Sequence, residues 1–81
     1  MDWGYLMDVH ILVTHTDFCL PNLECEFKNI GVNYSIDYIE DNANLVHAHQ
    51  IKHSPSIFVD NKLVFRFQPT AVQLKAFFNL N

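Results

Sequence analysis

The chain has little of what usually marks a special function. It holds two glycines, three prolines and two cysteines in 81 residues. Two cysteines form at most one bridge, which excludes a disulfide-dense secreted scaffold and fits a reducing compartment. Lysine and arginine number only five against nine acids, a formal charge of −4. The absence of a basic stripe to release counterions argues against a phosphate-tracking nucleic-acid module. No apolar run approaches the roughly 18 residues of a membrane span. The first eight residues carry no basic side chain and include Asp2 and Asp8, so they do not read as a signal peptide. There is no internal repeat and no low-complexity tract. The expectation is one cytoplasmic domain over residues 1–81, with residues 1–7 as a short extension, monomeric, bound neither to nucleic acid nor to membrane.

What is present is apolar: 49% of residues are hydrophobic and 17% charged, the balance of a folded globule. Residues 9–14 (Val-His-Ile-Leu-Val-Thr) are rich in β-branched side chains and read as a strand buried on both faces. Residues 15–18 read as a loop. From Cys19 the period changes, because Leu20, Leu23, Phe27 and Ile30 fall on one stripe of an amphipathic helix. Pro21 suits its first turn and Gly31 its C-terminal cap, so Cys19 lies at the helix N-terminus.

Residues 33–39 alternate Tyr34, Ile36 and Tyr38 with polar side chains, the pattern of a half-exposed strand. Glu40-Asp41-Asn42 offers turn and cap chemistry before a short helix over residues 43–51. Residues 56–59 and 62–67, joined by Asp60-Asn61, read as a β-hairpin with a type I′ turn. Pro69 then starts a last helix whose buried stripe is Ala71, Leu74, Phe77 and Phe78. Phe58, Phe65 and Phe67 read, with Phe77 and Phe78, as core. The fold class is α/β, a four-stranded mixed sheet flanked by helices in the order β-α-β-α-β-β-α.

That order, a cysteine at the first helix N-terminus, Pro55 ahead of the third strand and the closing segment of residues 73–78 together resemble the thioredoxin and glutaredoxin superfamily over about residues 8–80. The resemblance implies a cis Ser54–Pro55 bond beside a substrate groove, with Ser54 offering backbone pairing to an extended substrate. It implies thiol–disulfide exchange, with Cys19 as nucleophile, and a protein or small-molecule thiol or disulfide as partner. Cys19-Leu20-Pro21-Asn22 then matches C-x-x-C with Asn22 in place of the resolving thiol. Attack by Cys19 would stall at a mixed disulfide unless an external thiol completed it. A gap-free alignment anchored on Ile30-Gly31 instead pairs the two family cysteines with Asp17 and Leu20, leaving no catalytic cysteine. The first alignment is preferred because Pro21 then matches as well, so the resemblance implies thiol–disulfide exchange through a single active-site cysteine, with a redox-inactive binding module as the alternative. A glutathione-dependent or iron–sulfur member usually shows C-G-F-S or a Gly-Gly turn, and Arg66-Phe67-Gln68-Pro69 stands there instead. No cofactor is expected.

Other residues carry weaker signals. Cys25 lies six positions beyond Cys19, about 9 Å along a helix, too far for a bridge within it. Asp17 and Glu24 would stabilise the helix start while opposing an anion on Cys19. His15 follows the first strand and reads as a polar loop residue within reach of the active-site loop. His47, His49 and His53 suggest a metal cluster only superficially. His47 and His49 lie on different helical faces, and Ser54-Pro55 disfavours helix at His53, so no metal site is expected.

Overall fold

The computed structural model describes residues 8–78. The 1–7 extension therefore lies outside the described residues. Strands β1 (Val9–Val13), β2 (Ser35–Tyr38), β3 (Ser56–Val59) and β4 (Lys62–Phe65) form one mixed sheet in the order β2-β1-β3-β4. β1 runs parallel to β2 and antiparallel to β3, and β3 runs antiparallel to β4. Helices α1 (Leu20–Ile30), α2 (Ala43–His49) and α3 (Ala71–Phe77) complete the α/β architecture.

Register explains why β1 reads as apolar throughout. Val9 and Ile11 sit opposite Val59 and Ile57 of β3, and with Val13 they join the main core. Leu12 turns to the other face opposite Ser56, and His10 lies there opposite Phe58. Leu23 and Phe27 of α1 and Leu74 and Phe78 at the end of α3 fill the main core, so α1 and α3 share one face of the sheet. Burying side chains such as Leu23 and Phe27 is worth about 1.5–3 kcal/mol each.

Helix ends follow from local chemistry. Pro21 occupies the first turn of α1, where its missing N–H is not needed. Gly31 stops the helix at φ 73°, its N–H reaching Lys28 O while Val32 N–H reaches Phe27 O, the paired bonds of a Schellman cap. Gln50 ends α2 in the same way at φ 54°, with Ile51 N–H donating to Val46 O. The expected helix over residues 43–51 therefore closes two residues early, because Gln50 and Ile51 build the cap that reverses the chain toward β3.

Three further expectations are corrected. Pro69 precedes α3 rather than starting it, because Thr70 is the cap: its side chain accepts from Gln73 N–H and the Gln73 side chain accepts from Thr70 N–H. The hairpin strand ends at Phe65, so Phe67 is 57% exposed and not core. Ala71 is exposed and Phe77 is 42% exposed, leaving Leu74 and Phe78 as the buried α3 stripe. Asp60 and Asn61 both take positive φ, at 52° and 67°, as a type I′ turn requires.

Candidate functional site

The sequence places its candidate residues on two segments, the start of α1 and the loop before β3. Cys19 is the N-cap residue of α1, exposed, with no side-chain cap hydrogen bond. Pro21 and Asn22 are exposed in the first helical turn, while Cys25 is exposed farther along the helix. In the second segment the Ser54–Pro55 peptide is cis. Pro55 is buried, and Ser54 is half-buried.

Asp17 ties the two segments together. Its Oδ1 accepts from the Cys19 backbone N–H at 2.8 Å, and its Oδ2 accepts from the Ser54 hydroxyl. The Ser54 Oγ in turn accepts from Thr14 N–H at 3.1 Å, which holds the loop against the end of β1. The group facing Ser54 is thus a carboxylate. The bond from Asp17 to the N–H two residues on is an Asx turn, a pattern that Asp favours locally and that the sequence could have signalled. Beside it, Phe18 is 92% exposed, a large aromatic presented to solvent at the rim of the site.

His15 turns away from this junction. Its ring stacks on Tyr38 with centroids 3.9 Å apart, and its Nε2 lies 3.5 Å from Asp41. Its backbone N–H donates to the Glu40 carboxylate, which holds the Glu40 carboxyl below its ordinary range. His15 is a polar loop residue that fastens the end of β1 to the turn after β2. Beside α1, the Tyr34 hydroxyl donates to Glu24 at 2.9 Å. Burial, and then that bond, push the Tyr34 phenol up.

The remaining histidines do not assemble. Among the described residues no three His, Cys, Asp or Glu side chains gather as a metal-ligand group. His49 meets Phe58 edge-on, with centroids 5.0 Å apart. No helix among the described residues is long and apolar enough to cross a membrane. Comparison with known proteins finds no family model, no curated protein and no solved structure that matches this chain.

Proposed function

We propose that the chain is a thioredoxin-like binding module that takes an extended polypeptide at the cis-Pro55 loop and does not perform thiol–disulfide exchange. The strand order and the helix that follows β1 support the superfamily reading. One observation carries the functional choice: the carboxylate of Asp17 bonds both the start of α1 and Ser54. In that superfamily the cis-proline loop lies against the nucleophilic sulfur. Here the group bonded to the loop is a carboxyl group rather than a thiol, and it cannot attack a disulfide. This favours the alignment that pairs Asp17 and Leu20 with the family cysteines.

Phe18 supplies the complementary argument. An aromatic side chain left almost wholly in water, next to a loop able to pair with backbone, has the character of an interface anchor. The rival reading, exchange by Cys19 alone, draws on that thiol's exposure at the α1 N-cap, where it makes no side-chain cap hydrogen bond.

Two measurements on the intact chain test the choice. Selection of extended peptides from a displayed library, followed by amide shift mapping, should perturb Thr14, Phe18 and Ser54. Phe18→Ala should then weaken the selected peptide about tenfold or more, in the range of an aromatic anchor, without changing stability. In parallel, wild type and Cys19→Ser should be equally inactive in disulfide reduction with glutathione or a dithiol as reductant. Reductase activity that disappears in Cys19→Ser would overturn the binding reading in favour of exchange.

A further inference from the structure

The second face of the sheet is only partly covered. α1 and α3 pack on the opposite face, and the seven-residue α2 is left to shield this one. Beneath it lies a cavity of about 240 Å³ lined by His10, Leu12, Asp37, Leu45, His49, Phe58 and Asn61. Leu12 and Phe58 form a buried apolar floor, Leu45 contributes an apolar wall, and His49 stands edge-on to Phe58. This space is smaller than the roughly 300–1,000 Å³ of pockets for drug-sized ligands, so it suits one or two fused rings.

The polar end has one sign. His10 is held between two carboxylates, Nε2 lying 2.9 Å from Asp8 and Nδ1 2.8 Å from Asp37. Both ring nitrogens are therefore engaged, and the imidazole has none left for a ligand. Asp37 uses Oδ2 in that pair, leaving Oδ1 as an acceptor on a side chain 42% exposed. Two carboxylates against one imidazolium leave a net negative charge, which becomes larger when His10 is neutral. The cation nearest the far end is Arg66, whose guanidinium donates to the His49 carbonyl at 3.4 Å. Charge complementarity thus selects a cation and rejects a carboxylate at the Asp37 end.

We propose that this cavity binds a small arylalkylamine, its ring on Leu12, Leu45 and Phe58 and its ammonium on Asp37. The site is separate from the Asp17–Ser54 junction and does not depend on the function assigned there. Burial of a flat ring against the apolar floor provides affinity, and the ammonium–carboxylate hydrogen bond sets orientation and specificity.

Tryptamine and indole-3-acetate present the same ring with opposite charge, and an NMR titration of the full chain with each reads the site directly. Tryptamine should give saturable shifts at Leu12, Leu45 and Phe58 and bind at least about tenfold tighter than the acid, the size of one charge-assisted hydrogen bond. Asp37→Asn should remove that preference. Leu45→Trp, which fills the cavity from a partly exposed helical position, should abolish binding of both probes while the spectrum stays dispersed. Equal binding of the two probes to wild type, tryptamine shifts that map elsewhere or are absent, or unchanged affinity in a folded Leu45→Trp chain would each overturn the proposal. The wild-type comparison and Leu45→Trp decide the matter even where Asp37→Asn fails to fold.

Discussion

Raising the pH from about 6 to 9 should weaken the fold through His10. Burial by itself lowers the pKa of this imidazole, but the hydrogen bonds to Asp37 and then Asp8, with the attraction of both carboxylates, outweigh it and hold the pKa above the ordinary 6.5. The folded chain therefore binds this proton more tightly than the unfolded chain does. The resulting stabilisation is complete below about pH 6.5, the unfolded value, and is lost as pH rises through the higher folded value. Its size is limited by solvent, because the side chains of His10, Asp37 and Asp8 are 34%, 42% and 60% exposed. Exposed pairs are worth about 0.2–1 kcal/mol each, so with burial working against them the two together contribute about 1 kcal/mol. In a domain of this size that is about 4–8 °C in Tm.

Urea melts at fixed ionic strength between pH 6 and 9 measure it. Among the described residues, the other two perturbed groups titrate outside this window. Glu40, whose folded pKa is lowered, adds stability that is present above about pH 4.5 and lost as pH falls through its folded value. Tyr34 has its folded pKa raised from 10.0, so its effect is lost only at more alkaline pH. His10→Gln removes the titrating ring and should flatten the profile between pH 6.5 and 9 relative to wild type. A wild-type stability that stays level or rises over that interval, or an unchanged slope in His10→Gln, would refute the two-carboxylate argument.

Gly31→Ala should cost about 1–2 kcal/mol, read as a lower urea midpoint: an added Cβ meets nothing within 4 Å, so the loss comes only from holding φ 73° with a side chain. Asp17→Ala should cost about 1–2 kcal/mol by removing the acceptor of Cys19 N–H and Ser54 Oγ–H, and the Cys19 and Ser54 amides should shift together. A variant with unchanged stability and an unmoved Ser54 amide would mean that the carboxylate does not join the two segments.

The elements most legible in the sequence are those whose periodicity coincides with burial. Leu23 and Phe27 repeat on one stripe and are fully buried, with Leu20 and Ile30 at its partly exposed ends. Asp60-Asn61 announces the hairpin because both residues tolerate positive φ. Periodicity fails where a short element ends. In α3 the apolar spacing of Ala71, Leu74, Phe77 and Phe78 is wider than the stripe that the last turn can bury, and Phe77 is left half in water against the edge of Phe65. The sequence Thr70-Ala71-Val72-Gln73 held the correct start of that helix as a capping box, a stronger local signal than Pro69.

The candidate site shows a different limit. Cys19, Pro21, Asn22, Ser54 and Pro55 could each be placed on a segment by local pattern, and each lies on that segment. What pattern cannot encode is which side chain crosses the 37 residues between Asp17 and Ser54. Matching Cys19-Leu20-Pro21-Asn22 to C-x-x-C weighs residue identity, whereas counting back from Gly31 weighs helix length; the two disagree by two positions. Helix length is fixed by the Gly31 cap and by the Leu23 and Phe27 stripe, both of which are set by packing. Residue identity at the helix start is not set by that packing, because Cys19, Pro21 and Asn22 are exposed. Asp17 accepts from the Cys19 N–H at that exposed helix start. The bond from Asp17 to Ser54 thus fastens the loop that carries Pro55 to the start of α1, a tie that neither residue identity nor helix length announces.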